Sequence, residues 1–376
     1  MTRRVLVVFG TRPEAIKMAP VIAELVSRDG FEPVVAVTAQ HREMLDQVLE
    51  LFSITPDHDL DIMQPGQTLT DITVRSLSGL TPLIERVAPD VVLVQGDTTT
   101  TFAAALAAFY HKVPVGHVEA GLRTGDVYRP FPEEVNRRLT TRLARWHFPP
   151  TATPAGHLAD EGVDASTVTI TGNTVVDALL HVRSLPYQFP QGSRVSEAII
   201  RGDRIVLVTA HRRESWGEPM ARIFSAIKEL AERFDDVHVF VATHMNPIVA
   251  DAAHAILDPV DRVDLLEPLS YLPFVKLMDA STLILSDSGG IQEEAPTLGK
   301  PALVLREVTE RPEAIEAGVV ELVGTDTALI VERASRLLTD PGAYAAMARP
   351  ANPFGDGTAA RRIVDVLERE LGPTSA

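Results

Sequence analysis

The stretch "VLVVFGTRPEAIKMAP", residues 5–20, decides the fold. Five apolar residues run into one glycine, Gly10, and a periodic apolar stretch starts just after Pro13. Such a run predicts a buried strand, a sharp turn and a helix with proline in its first turn. A dinucleotide-binding chain carries a glycine-rich phosphate loop at this place. Here Gly10 is followed at once by Thr11, Arg12 and Pro13. The unit is βα, but it offers an arginine side chain where a cofactor loop offers bare backbone.

The same alternation recurs outward from this unit. Strands are expected at 4–9, 33–38, 91–95, 113–118, 145–148 and 168–171. A second series is expected at 204–209, 237–242, 263–266, 282–286, 302–305 and 320–323. Helical stretches such as 13–27, 41–52, 69–88 and 98–111 lie between them. Strands alternating with helices imply right-handed crossovers and parallel sheets. Wholly apolar strands such as "VVLV" at 91–94 suit sheets covered on both faces. The series breaks at the Pro/Gly/Ser-rich "LPYQFPQGSR", residues 185–194. The expectation is therefore two doubly wound domains, 1–172 and 204–356, with a linker region at 173–203. The closing segment, 357–376, is expected to hold a helix that packs back on the first domain.

Composition narrows the partners. Thirty-five Lys and Arg against 51 Asp and Glu give a net charge of −16, which argues against nucleic acid or an anionic membrane as partner. A local cluster of cations can still hold a small anion. The absence of cysteine excludes disulfides and thiol catalysis and is compatible with a reducing cytoplasm. "MTRR" leads straight into a strand, so no cleavable signal is expected, and no apolar run is long enough to span a bilayer.

Ligands of open α/β sheets bind at the carboxyl ends of strands, and here nearly every strand end is polar. In "SDSGGIQEE", residues 286–294, Ser288 is expected to cap a helix, while Gly289 and Gly290 let backbone N–H groups approach an anion. Glu294 lies further along, where a carboxylate can take vicinal hydroxyls. Asp97 in "QGDTTT" and Glu119 in "HVEAG" end successive strands, and Glu133 follows in "PFPEE". Three acids on one rim push their pKa values apart, as acid–base catalysis requires. Their bland alternative is helix capping, which suits Asp97 and Glu133 better than Glu119. His211, in "HRRES", and the repeated "RPE" of Arg12 and Arg311 supply cations that can clamp phosphates. No G-x-G-x-x-G, no P-loop, no Y-x-x-x-K pair and no H-E-x-x-H is present, so neither NAD, a P-loop nor a metal is expected.

Together, "FGTRPEAIKMAPV", "TAQHREMLDQVL", "QGDTTTT", "GHVEAGLRTGD", "PFPEEVNRR", "TGNTVVDAL", "HRRES", "SDSGGIQEEAPTLGKP" and "TERPEA" resemble the non-hydrolysing UDP-N-acetylglucosamine 2-epimerases. The resemblance runs from about residue 4 to about 370. It implies a GT-B fold, two Rossmann-like domains with the active site in a central cleft. It implies a cytoplasmic homodimer that interconverts UDP-N-acetylglucosamine and UDP-N-acetylmannosamine without cofactor or metal. The implied route eliminates UDP to 2-acetamidoglucal and adds it back on the other face. By motif position, Asp97, Glu119, Glu133 and His211 match the catalytic residues. Arg12, Lys17, Phe274, Ser288, Gly289, Gly290, Glu294 and Arg311 match the nucleotide contacts. Gln40, His41, Gln67 and His244 match a pocket where some members bind a second substrate molecule as activator, although Glu43 and Gly66 replace the Gln and Arg of strongly regulated members. Competing readings are a GT-B glycosyltransferase, a 2-epimerase for a related UDP-sugar, a hydrolysing relative and a non-catalytic UDP-sugar sensor.

Overall fold

A computed structural model describes residues 2–38, 42–64, 66–212, 215–243, 247–349 and 352–372. The chain forms two compact units, Met1–Ala178 with Phe354–Ala376, and Leu179–Pro353.

The first unit holds β1 (Arg3–Phe9), β2 (Phe31–Val37), β3 (His58–Asp59), β4 (Val91–Gln95), β5 (Val115–Val118) and β6 (Trp146–Phe148). The second holds β7 (Arg204–Thr209), β8 (Val237–Ala242), β9 (Val263–Leu266), β10 (Leu283–Ser286), β11 (Ala302–Val304) and β12 (Val320–Leu322). The sheet orders are β3-β2-β1-β4-β5-β6 and β12-β11-β10-β7-β8-β9, every pair parallel. The first, counted along the chain, is the 3-2-1-4-5-6 order of a Rossmann sheet; the second is the same order read from its other edge. Strand order therefore reverses between β1 and β4 in one unit and between β7 and β10 in the other. Crevices open at such switch points, beyond the carboxyl ends of the strands.

The cores are aliphatic, as a chain with few aromatics requires. Leu6, Val8, Val92 and Val94 of the first sheet pack against the alanine-rich face of the helix Thr99–Tyr110 and against Leu80, Leu83 and Ile84. Val206, Val208, Leu283 and Leu285 of the second meet Ile223, Ile227 and Leu230.

The expected strand at 168–171 is absent: the segment makes one isolated bridge, Val168 to His147. Its neighbour β6 stops at Phe148 because Pro149 and Pro150 follow and have no N–H to extend a ladder. The stretch 173–203 contains two helices, Thr174–Ser184 and Arg194–Arg201, so only 185–193 between them lacks helix. Both helices escaped the sequence reading because proline and glycine between them masked a short periodicity.

The closing helix, Ala359–Glu370, belongs to the first unit. Asp177 accepts the N–H groups of Ala359 and Ala360 at 3.2 and 2.9 Å, capping it from a distant part of the chain. Arg28 pairs with Asp365 and Glu368 on its outer side. Just before it, the Phe354 carbonyl accepts the N–H of Asn173 at 2.6 Å. Gly172 and Gly355 pass so closely that a Cβ on Gly172 would lie 3.1 Å from the Cα of Gly355.

Candidate active site

In the first unit the loop after β1 is organised by Glu14. Its buried Oε2 accepts the N–H groups of Gly10 (3.1 Å) and Thr11 (2.8 Å) and the Thr11 hydroxyl (2.7 Å). Its Oε1 takes the hydroxyls of Thr98 (2.8 Å) and Thr101 (3.0 Å) from the neighbouring turn. Glycine is required at position 10 by crowding, since a Cβ there would sit 2.3 Å from Thr38 Oγ1. The acid of this "RPE" is thus structural, and it leaves Arg12, half-buried in the first helical turn, with no ion pair among the described residues.

The three acids are brought together by successive elements of this unit. Asp97 lies in the turn after β4, behind Gly96 with φ +71°. It does not cap the following helix; Thr98 does, accepting the Thr101 N–H at 3.1 Å. The Asp97 carboxylate meets Arg137 Nη2 at 3.0 Å and keeps 28% of its surface exposed. Burial first, then the negative charges of Glu119 and Glu133, push it up to about 6 against the pull of Arg137 and Lys17. An acid with that value is partly protonated near neutrality. Glu133 opens the helix Glu133–Leu143.

Glu119 follows β5 with φ +60°, a left-handed conformation rare for any residue but glycine. Holding it there costs about 1–3 kcal/mol, strain that characteristically marks functional positions. The surroundings enforce it: Lys17 Nζ reaches both carboxylate oxygens at 2.7 and 2.6 Å, Asn173 Nδ2 reaches Oε1 at 2.8 Å, and Gln95 Nε2 donates to Oε2. His117, two residues earlier, is buried and held neutral, its pKa lowered to about 3 chiefly by burial. Its Nε2 bonds the Gly96 carbonyl at 2.7 Å and so steadies the turn that carries Asp97.

In the second unit, β7 and β10 pair with Thr209 opposite Ser286, their hydroxyls 2.6 Å apart. That register places His211 and Arg212 beside Asp287. Ser288 does not cap a helix: the helix is Ile291–Thr297, its N-cap is Gly290, and no side chain caps it. Two residues too early for the cap, Ser288 instead gives its N–H to the Ser286 hydroxyl at 3.0 Å. Gly289 matters through space. A Cβ on it would meet the guanidinium of Arg311 at 3.3 Å and that of Arg212 at 3.7 Å, so two cations converge over bare backbone. Arg311 is held there by Glu293 at 2.5 Å. Glu294 accepts the buried Tyr271 hydroxyl at 2.8 Å, and Phe274 lies half-buried on the same helix as Tyr271.

Of the proposed activator residues, Gln40, His41 and His244 lie outside the described residues. Gln67 is half-buried and exchanges hydrogen bonds with Gln64. No group of three potential metal ligands occurs among the described residues. Sequence reasoning did not single out Gln95, Asn173, Arg137, Asp287, Tyr271 or Glu293 as site residues. A polar residue closing an apolar strand, as Gln95 closes "VVLVQ", was the available signal.

Two Rossmann-like units, each with its polar cluster at the switch point, define the GT-B class of α/β proteins. A glycosyltransferase of kitacinnamycin shares this fold at TM-score 0.65 and 14% identity, over 99% of this chain and 100% of its own. The family model for UDP-N-acetylglucosamine 2-epimerase matches residues 23–368, and the chain belongs to that family. It is 55% identical to the UDP-N-acetylglucosamine 2-epimerase of Yersinia pestis over 97% of this chain and 98% of that one. A crystal structure of the Neisseria meningitidis UDP-GlcNAc 2-epimerase bound to UDP-GlcNAc is similar at TM-score 0.89 and 50% identity, over 97% of this chain and 99% of that one.

Proposed function

We propose that the protein is a non-hydrolysing UDP-N-acetylglucosamine 2-epimerase, interconverting UDP-N-acetylglucosamine and UDP-N-acetylmannosamine. The observation that carries the reading is the acid cluster: Glu119 strained and gripped by Lys17, Asn173 and Gln95, beside an Asp97 shifted to about 6. The hydrogen on carbon 2 is not acidic enough for direct removal, so inversion needs a leaving group on carbon 1. In the elimination a carboxylate takes the carbon-2 proton. The C–H electrons form the carbon 1–carbon 2 double bond, and the carbon 1–oxygen electrons depart with UDP in anti geometry. In the return step a protonated acid delivers a proton to the opposite face of carbon 2 while a diphosphate oxygen rebonds to carbon 1. Atoms and charge balance with no oxidant and no metal.

That sequence needs at least two carboxyl groups in different protonation states, which suits Asp97, Glu119 and Glu133 as a set. It also needs UDP held while it is free. In the second unit Arg311 and the backbone at Ser288, Gly289 and Gly290 suit the diphosphate; in the first unit Arg12 and Lys17 are cations of the kind that suit a phosphate. Glu294 suits the ribose, Phe274 the uracil, and His211 the charge that develops on the departing diphosphate. Phe109, Tyr110, Val135 and Leu139, all exposed on helices of the first unit, suit a homodimer contact. A UDP-sugar is made where UTP is plentiful, so the working place of the enzyme is the cytoplasm.

Incubation with UDP-N-acetylglucosamine in heavy water tests the reading. Deuterium should appear at carbon 2 of both epimers, with no net release of free sugar. Transfer to an acceptor without deuterium, or no exchange with this or a neighbouring UDP-sugar, overturns it.

A further inference from the structure

The carboxylate of Asp287 has no use in the reading so far. It is fully buried at the end of β10. Oδ2 accepts two consecutive backbone N–H groups, those of His211 at 2.7 Å and Arg212 at 2.8 Å. Among the described residues Oδ1 has no hydrogen-bond donor, and it lies 3.3 Å from His211 Nδ1. The carboxylate therefore fixes the backbone that carries the histidine with one oxygen and faces the imidazole with the other. The same segment is braced by Trp216 Nε1, which donates to the His211 carbonyl at 3.4 Å. The imidazole itself is partly exposed.

We propose that Asp287 is the positioning residue of His211, holding the proton of the neutral imidazole on Nδ1 and presenting Nε2 to the ligand; this rests on the assignment of His211 to the reaction. A carboxylate is an acceptor only, so its second oxygen draws a donor on Nδ1. The neutral ring then carries its lone pair on Nε2, and the cationic ring carries a proton there. An imidazole so oriented can take or return a proton at one defined atom, and its cationic form is stabilised by the buried negative charge. Arg212 and Arg311 converge over Gly289 nearby, Arg311 itself paired with Glu293 and close to Glu310, and Asp287 sets a buried negative charge 3.3 Å from the ring.

The Asp287→Asn variant separates this role from a structural one. An asparagine oxygen can still accept the N–H groups of His211 and Arg212. Its NH2 must then face Nδ1, which demands a lone pair there and moves the neutral proton to Nε2. The measurement uses ¹⁵N-histidine-labelled full-length protein, with the His211 signals found by their loss in His211→Gln. In the wild type the neutral His211 ring should be the Nδ1–H form. Asp287→Asn should show Nε2–H, titration at lower pH by about one unit, and kcat reduced about 10- to 1,000-fold with KM changed less than about threefold. An Nε2–H tautomer in the wild type overturns the proposal, and that result does not depend on the variant folding. So does a folded Asp287→Asn protein whose His211 tautomer and titration match the wild type. If the wild type shows the Nδ1–H form but no deuterium exchange, the positioning stands and the assignment of function fails.

Discussion

Each unit ties down the loop after its first strand with a buried carboxylate that accepts two consecutive backbone N–H groups, and the two carboxylates differ in what remains of them. Glu14 comes from the loop's own helix, and its other oxygen is occupied by Thr98 and Thr101. Asp287 comes from the end of the adjacent strand, and its other oxygen faces a titratable ring. The first arrangement is complete in itself and makes a rigid loop. The second is incomplete without His211 and makes an oriented one. Glu14, with both oxygens occupied, serves the scaffold; Asp287, with one oxygen turned toward an imidazole, is the carboxylate proposed to orient it.

The largest expected effect lies outside both anchors, at the strained acid. Glu119→Gln should lower kcat/KM for UDP-N-acetylglucosamine by about 1,000-fold or more, an amount typical when an acid–base group is lost. Steady-state kinetics with a coupled product assay would check it; a loss under about tenfold would remove Glu119 from the acids. Next comes the crowding at the first anchor. Gly10→Ala drives a Cβ against Thr38 and Thr100 and should cost about 1–3 kcal/mol, read as a lower denaturant midpoint. Glu14→Gln should lower stability by about 1–3 kcal/mol by weakening bonds from buried donors, while the pH dependence of kcat stays put. If Glu14→Gln instead moved the pH profile, the contrast with Asp287 would fail. Arg12→Ala should raise KM about tenfold with little loss of folding stability, because no ion pair restrains Arg12 among the described residues.

The smallest effect tests Asp97. Its folded-state value is raised, so the native protein holds this proton more tightly than the unfolded chain does. That contribution is fully present below the unfolded value of about 3.8 and is lost as pH rises through about 6. An asparagine side chain in its place mimics the protonated acid at every pH. Asp97→Asn should therefore gain about 2–5 °C in melting temperature relative to wild type at about pH 8, and the gain should vanish near about pH 4. A difference that stays constant between those pH values contradicts the shift.

The strand-and-helix alternation made both Rossmann sheets readable from sequence, because buried parallel strands must be apolar throughout. It failed where pattern and geometry part: Pro149 and Pro150 end a ladder that the β-branched 168–171 had suggested, and β3 has only two residues. The acids were visible as carboxylates closing apolar strands. Their supports were not, since Lys17, Asn173 and Gln95 converge on Glu119 from three separate parts of the chain. The left-handed backbone at Glu119 has no signature in a residue that is not glycine. Asp287 stood in a quoted motif, yet only the β7–β10 register reveals that it faces His211.

Asn173 sits at a junction that matters to anyone wishing to cut the molecule apart. Its side chain steadies Glu119, and its backbone N–H is bound by Phe354, at the point where the chain returns to the first unit. A fragment ending at Ala178 would lack that acceptor, and Asp177 would have no helix to cap. The first unit is therefore not a contiguous cassette. A stand-alone version would have to be sewn from residues 1–178 and 354–376 through a short artificial loop, and a stop codon after Pro353 would disturb the strained glutamate far upstream.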